Sequence, residues 1–257
     1  MFGKLLKYEL KSIGKWYVLL NIAILAISTA LGLIIKGFVT DARNTENFSY
    51  SLNSKLLPLS LVFILAALIM GAWIATLFII INRFNKNIFG REGYLTLTLP
   101  VSTHQIILSK LVAALIWNFF ISLIIFLGLV LVFLPSIGLG KVLVALPQFT
   151  SYLPNHIAIW GLVFAFLSSI SGALLIYLAI SIGQLFSNRR GLMGFVAYFA
   201  LSVILAILST HISNHIFADN EIFTEKFFIF YCIQDLIVSL IYYSGTYYII
   251  KRKLNIP

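Results

Sequence analysis

The sequence predicts an all-α membrane protein: six transmembrane helices, an amphipathic N-terminal helix lying in the membrane interface, and a short cytoplasmic helix between helices 2 and 3. Three observations lead to this class. Of the 257 residues, 61% are hydrophobic and only 10% are charged, against about 25% charged in an average soluble domain. The mean hydropathy is +1.02. Apolar runs of about 20 residues, enough to cross a bilayer core, recur between short polar stretches. We therefore expect no soluble catalytic domain.

The first element is an amphipathic helix over residues 1–15. Apolar side chains and lysines recur there at helical spacing on different sides, as in helices that lie in the headgroup plane. An ordinary basic flank of the first span is the alternative. The apolar run that follows is longer than that of a signal peptide and lacks a small-residue cleavage site, so we expect it to be retained. The positions that define the two sides are Phe2, Leu5, Leu6, Leu10, Ile13 and Trp16, and Lys4, Lys7, Lys11 and Lys15.

Residues 16–257 form the predicted six-helix membrane domain. Its third and fourth apolar runs exceed the minimum for crossing the bilayer, so these helices must tilt or project beyond it. The predicted spans are 16–35, 58–81, 105–134, 157–186, 191–211 and 227–250.

The distribution of basic residues predicts the orientation of these helices. With six spans, both termini lie on one side, and 13 of the 18 lysines and arginines fall on that side. By the positive-inside rule, both termini are cytoplasmic. Orientation and contact with anionic lipid account for the formal net charge of +10. A nucleic-acid partner is not expected, because it would need a soluble basic face.

The segment between the second and third spans, residues 82–104, is too elaborate for a simple connection. Its first part, 82–89, can form a short helix that Gly90 ends. Arg91, Glu92, Gly93 and Tyr94 then form a charged turn beside an aromatic ring. We expect a small structured element held against the cytoplasmic face, as docking of another protein requires. The short helix carries basic Arg83 and Lys86 and apolar Phe84, Ile88 and Phe89.

The remainder of this segment predicts where the third span begins. Leucines alternate with threonines over residues 95–99, which fits an extended piece with one apolar side, and Pro100 stops it. Ser102 and Gln105 then stand three apart in the capping-box pattern. The third transmembrane helix is therefore predicted to begin near Thr103.

These residues resemble a known family. The string EGYLTLTLPVS, leading into a helix with ILSK and Trp117, is similar to the permease subunit of type-2 ATP-binding-cassette (ABC) exporters, especially small bacterial permeases encoded beside a separate ATPase. The resemblance extends to the topology of the whole chain. It implies a multi-pass protein of the bacterial cytoplasmic membrane that forms a permease dimer, with itself or with a related chain. It also implies that each copy holds one ATPase subunit through the segment 82–104, which we call the coupling loop.

The family resemblance also implies residue roles and a class of cargo. Glu92, Gly93 and Tyr94 match the family's motif, and the expected cargo is an amphipathic peptide such as a toxin or antimicrobial peptide, a drug, or a lipid-like molecule. The residues expected to contact the ATPase are Arg83, Phe84, Lys86, Phe89, Arg91, Glu92, Gly93 and Tyr94.

The chain lacks a phosphate-binding loop, so no catalytic residue or cofactor is expected in it. The nearest string is Gly138-Leu139-Gly140-Lys141-Val142, with Pro135 where the motif needs its first glycine and Val142 where it needs a hydroxyl. ATP and magnesium must therefore act on a partner ATPase.

Five residues within the predicted spans are candidates for the translocation path. Asp235 is the only acid inside a predicted span, and intramembrane acids are functional candidates. It could line the path, bind a basic group of the cargo or exchange protons, or it could lie near the outer interface with a structural role. Trp73 and Trp117 lie too deep for an interfacial belt, so they could face cargo or pack in the core. Thr76 and Asn118 are buried by this topology.

Two other functional classes compete with the transporter. The first is a membrane-embedded immunity protein that sequesters a peptide without turnover; it would not need a structured cytoplasmic dock. The second, an intramembrane hydrolase, is the weakest. His211 and His215 stand four apart near Asp219 and Glu221, but no third ligand has diagnostic spacing for a metal, so no metal site is expected.

Overall fold

The computed structural model of the chain describes residues 2–11, 15–44, 52–90, 102–138, 140–141, 155–186, 188–217 and 224–252. Over these residues the regular structure is entirely helical, as predicted. The helices are α1 (Phe2–Lys11), α2 (Lys15–Asn44), α3 (Leu52–Phe84), α4 (Thr103–Ile137), α5 (Asn155–Gly183), α6 (Arg190–Ile216) and α7 (Glu225–Arg252), and a π-helical turn (Asn85–Phe89) follows α3.

The six predicted spans are confirmed as six helices that are long and apolar enough to cross a membrane. No end of these apolar segments differs from the prediction by more than five residues. The longest helix, α4, has 35 residues and is therefore about 52 Å long. This exceeds a hydrocarbon core of about 30 Å, so α4 must tilt or project beyond it. The apolar segments are Tyr17–Gly37, Leu59–Phe84, Thr103–Pro135, His156–Gly183, Arg190–Ile216 and Glu225–Arg252.

The N-terminal segment is helical from Phe2 to Lys11. Lys7 and Tyr8 are exposed on it, and Leu5 and Leu6 are half-buried. Its location in the headgroup plane stays a prediction.

The chain separates into two compact units. The boundaries fall inside α3 and α4, so each of these helices contributes to both units. Unit 1 consists of Met1–Ser12, Ile79–Leu115 and Leu153–Pro257, and unit 2 of Ile13–Phe78 and Ile116–Tyr152.

Helix α5 is the centre of unit 1. All seven residues from 173 to 179 are buried, which requires neighbours on every side of the helix. Helices α6 and α7 both pack against α5. By contrast, none of the described residues of α6 is buried, so α6 lies at the periphery of this unit.

Unit 2 depends on a close approach of α2 and α4. A Cβ atom at Gly32 would collide with the carbonyl oxygen of Leu131. One turn earlier in α2, the Ser28 hydroxyl would lie 2.9 Å from a Cβ atom at Gly128. The helices therefore touch through small residues, as membrane helices commonly do. Apolar side chains of α2, α3 and α4 pack around this contact, and the buried ones are Ile24, Leu31, Leu65, Ala72, Ile121, Ile124 and Val132.

Candidate functional site

The coupling loop begins as a continuation of the second span. The short helix predicted at 82–89 is not a separate element: α3 runs to Phe84, and the π-helical turn follows without a break. Gly90 ends this stretch, as predicted, with an extended backbone and its N–H donated to the Asn85 carbonyl at 3.0 Å. A Cβ atom at this position would lie 2.5 Å from the Lys86 carbonyl oxygen, so a larger residue would disturb the end of the turn.

Two contacts, one to α5 and one to the residue directly after it, hold the start of the coupling loop. The Phe84 ring stacks on Tyr177 with centroids 4.0 Å apart and planes 6° from parallel. In the next residue, Asn85 Oδ1 accepts a hydrogen bond of 3.1 Å from Gln184 Nε2. Because Tyr177 is 1% exposed in the centre of unit 1, the loop starts from a fixed point.

The predicted docking residues that the structure describes divide into supporting and outward-facing positions. Phe84 is 1% exposed and packs inside its own chain, so we assign it to the support of the coupling loop rather than to its docking surface. Lys86 is exposed, and Arg83 and Phe89 are half-buried. The other four predicted docking residues, Arg91, Glu92, Gly93 and Tyr94, lie outside the described residues.

The end of the coupling loop is held by α7. Helix α4 begins at Thr103, as predicted, and the Ser102 hydroxyl accepts a hydrogen bond of 3.4 Å from the backbone N–H of Gln105. His104 contacts two tyrosines one turn apart on α7. Its Nδ1 lies 2.7 Å from the Tyr243 hydroxyl, and its ring stacks on Tyr247 at 4.1 Å. The coupling loop is thus attached to α5 at one end and to α7 at the other.

A buried ion pair joins the first helix to the same region. Lys110 Nζ lies 2.6 Å from Glu9 Oε1, with the two side chains 4% and 12% exposed. Sequence reasoning missed this pair and also His104. A usable signal existed for the pair, since Glu9 is the only acid of α1 and Lys110 is the only lysine, arginine or acid in α4.

Four of the five predicted path residues belong to unit 2. Thr76 and Trp117 are brought together by Tyr17, a fully buried residue that was not among those predicted. The Tyr17 hydroxyl lies 2.9 Å from Thr76 Oγ1, and its ring meets Trp117 edge-on at 5.7 Å. Trp73 is 45% exposed, and Asn118 is half-buried.

Two buried polar atoms near Tyr17 lack hydrogen-bond partners among the described residues. They are the Trp117 indole nitrogen and Asn21 Oδ1. Asn21 uses its amide nitrogen for a 2.8 Å bond to the Tyr17 carbonyl. The Trp117 indole N–H is a hydrogen-bond donor and Asn21 Oδ1 is an acceptor, and both could bind polar groups of a cargo that passes through this apolar bundle.

The fifth path candidate, Asp235, belongs to unit 1. Its Oδ1 accepts a 3.2 Å hydrogen bond from the Ser171 hydroxyl on α5. The serine bond matches the structural role that the sequence left open. However, Asp235 Oδ2 is buried with no hydrogen-bond partner in the described part of the chain, so the serine bond does not satisfy the carboxyl group.

The two histidines considered for a metal, His211 and His215, are exposed and meet edge-on with ring centroids 4.7 Å apart. Asp219 and Glu221 lie outside the described residues. Within the residues that the structure describes, no three histidine, cysteine or acidic side chains come together as a metal site would require.

Comparison with known proteins adds no assignment: no protein-family model, no curated protein and no solved structure matches the chain.

Proposed function

We propose that this chain is the permease subunit of an ABC exporter of the bacterial cytoplasmic membrane. It moves an amphipathic cargo outward, using ATP that a separate subunit hydrolyses. A peptide toxin or antimicrobial peptide is the first choice of cargo, and a drug or a lipid is the next. Two permease chains and two ATPases make up the proposed assembly.

The observation that carries this proposal is the double attachment of the coupling loop. Its start packs on α5 through Phe84 and is hydrogen-bonded through Asn85 to Gln184, directly after α5, and its end packs on α7 through His104. A partner that pulls or pushes the loop therefore acts on two helices of the bundle rather than on a slack connection. This arrangement supports energy transfer from an ATPase, and the sequence between the two attachments resembles that of ABC permeases.

The attachment also favours the exporter over the sequestering protein. A protein that only holds a peptide needs no force to be transmitted from the cytoplasmic side. It gains nothing from an exposed basic residue such as Lys86 next to a buried anchor such as Phe84. The six apolar helices alone are compatible with both functions.

The test is co-purification of the full chain, in mild detergent, with whatever ATPase it binds. Arg83→Glu combined with Lys86→Glu reverses the charge at the start of the coupling loop without altering its buried anchors. We expect the wild type to retain a stoichiometric ATPase and the double variant to lose it, with membrane insertion unchanged.

A matched control is the double variant Arg189→Glu and Arg190→Glu. These exposed residues lie at the start of α6, on the side that we predict to be cytoplasmic but outside the coupling loop. The control should keep the ATPase. A wild-type chain that purifies alone and is indifferent to ATP would contradict the exporter and favour the sequestering protein.

A further inference from the structure

Asp235 lies well inside the last membrane helix. It is ten residues from the start of α7 at Glu225 and sixteen from Lys251, which correspond to about 15 Å and 24 Å along the axis. The residue is 9% exposed. It therefore lies at a depth where water is scarce and an ionised group is expensive.

No cation is in place to balance this carboxyl group among the residues that the structure describes. Helix α5 carries no lysine, arginine or acid, and its only histidine, His156, is at its start. Helix α6 has no buried residue in its described length. On α7 the other charges lie at the two ends, and Tyr231, Cys232 and Tyr242 are the titratable residues within about two turns of Asp235. The titratable groups of α6 are Arg190, Tyr198, His211 and His215.

The surroundings of Asp235 are rich in oxygen atoms. Ser171 Oγ lies 3.2 Å from Asp235 Oδ1 and 3.1 Å from the Ser168 carbonyl oxygen. Ser239 is one turn after Asp235 on the same side of α7, and its hydroxyl is also buried with no partner among the described residues. Asp235 Oδ2 and Ser239 Oγ are therefore two oxygens without a hydrogen-bond partner among the described residues. The other oxygens of this group are Asp235 Oδ1, the Ser171 hydroxyl and the Ser168 carbonyl.

This arrangement is incomplete as a purely structural contact. An uncompensated charge in such surroundings is strongly unfavourable, and one serine hydroxyl does not offset that. Oxygen donors suit hard cations. A single carboxylate is neutralised by a single positive charge, whereas a divalent ion would leave a net charge buried.

We propose that Asp235, with Ser171 and Ser239, forms a binding site for a monovalent cation, H⁺ or Na⁺, between α5 and α7. When a proton occupies the site, it joins a carboxylate oxygen to give the neutral acid. When Na⁺ occupies it, the carboxylate and the neighbouring oxygens coordinate the ion. The site belongs to this chain alone and does not depend on the proposed ATPase, so either proposal can fail without the other.

The experiment uses the purified full chain in lipid nanodiscs without nucleotide. Infrared difference spectra between high and low pH report the C=O band of a protonated carboxylic acid, and equilibrium binding of radioactive Na⁺ is measured in parallel. The variant Asp235→Asn removes the acid. The control Glu225→Gln removes the half-buried acid at the start of the same helix and should leave either signal in place.

Each outcome distinguishes the possibilities. A carboxylic acid band that is present at neutral pH, where an ordinary aspartate is ionised, and that disappears in Asp235→Asn identifies the proton as the ligand. Saturable Na⁺ binding that disappears in the same variant identifies Na⁺. A second variant, Ser171→Ala, keeps the acid and should shift the band or weaken Na⁺ binding about fivefold to tenfold, because one neutral hydrogen bond or ligand is lost. If the wild type shows neither a band nor Na⁺ binding that depends on Asp235, the carboxylate is ionised without a cation, and the proposal is wrong.

Discussion

Lys110 and Glu9 form a contact between residues that are 101 positions apart in the chain. The ammonium group is in the third turn of α4, where the surroundings are apolar: Ile106, Ile107 and Leu111 are all buried beside it. A lysine in such a place needs its counter-charge, since a lone buried ammonium would cost several kcal/mol. Glu9 thereby ties α1 to the first turns of α4.

The first prediction concerns this ion pair. Glu9→Gln leaves the Lys110 ammonium buried without its carboxylate, so we expect the variant to lose about 3 kcal/mol of unfolding free energy. Thermal and denaturant unfolding of the full chain in detergent measures the change.

The control for this prediction removes both charges. Glu9→Gln combined with Lys110→Met leaves no charge of this pair behind and should recover most of the lost stability. Equal losses in the single and double variants would contradict the role that we give to the pair.

At this scale the sequence indicates which residues are unusual but not which of them meet. Asp235, Thr76 and Trp117 are recognisable because polar or bulky groups are rare in membrane spans. The partner of each, Ser171 or Tyr17, lies on another helix. Local patterns do not determine how two helices rotate against each other, so these pairs required the three-dimensional structure.

At the scale of the helices, α2 and α4 approach each other so closely that a glycine of α2 contacts the backbone of α4. The contact places Gly32 against the backbone at Leu131. Ser28 and Gly32 are four residues apart, which is the spacing of small residues at helix contacts in membranes. This signal was present in the sequence, but the same spacing of small residues also occurs on helix faces that contact only lipid.

The second prediction follows from this contact. In Gly32→Ala the new methyl group meets the α4 backbone, which cannot move aside as a flexible side chain would. The two helices must separate, and we expect a loss of about 1–3 kcal/mol. Unfolding of the purified chain in detergent provides the measurement.

The same helix supplies the comparison. A Cβ atom added at Gly37 would have no described atom within 4 Å, so Gly37→Ala should leave stability unchanged or raise it by up to about 1 kcal/mol through helix propensity. If both variants behave alike, the contact between α2 and α4 is not as close as described.

The boundaries of the helices could be predicted more fully than their contacts. Apolar length alone predicts six spans that agree with the apolar segments of the helices to within five residues, because only a continuous helix satisfies its backbone hydrogen bonds in lipid. The helices themselves can be longer, since α2 continues to Asn44 and α3 already begins at Leu52. The start of the coupling loop differs from its prediction as a separate helix. Its first helical residues continue α3, since nothing in the sequence between Asn82 and Phe89 breaks a helix.

At the scale of the whole molecule, three polar side-chain contacts lie at the end of unit 1 that we predict to be cytoplasmic. They join segments that the six-span topology assigns to one side of the membrane. Their common location agrees with an even number of crossings, and which side faces the cytoplasm is still a prediction from charge. The three contacts are Glu9–Lys110, Asn85–Gln184 and His104–Tyr243.

The third prediction tests that orientation. In a background with Cys232→Ala, a cysteine is introduced by Gly140→Cys or by Asn188→Cys, both at exposed positions. A membrane-impermeant maleimide applied to intact cells should label position 140 and should reach position 188 only after the cells are permeabilised.

The background variant is needed because Cys232 is the only native cysteine, and its replacement should perturb little since a buried cysteine behaves as a small apolar residue. The reverse pattern, with position 188 labelled in intact cells, would invert the topology. It would also remove the coupling loop from the cytoplasm and, with it, the proposed contact to an ATPase.

The π-helical turn at Asn85–Phe89 has a consequence for how such chains can diverge. A π-helical turn holds one residue more than an α-helical turn, so deleting one residue there would restore ordinary helical winding without shortening α3. The segment that follows would keep nearly the same direction around the helix axis, because four α-helical residues and five π-helical residues turn through almost the same angle. A single-residue insertion or deletion at this point can therefore be absorbed without redirecting the coupling loop on the six-helix scaffold.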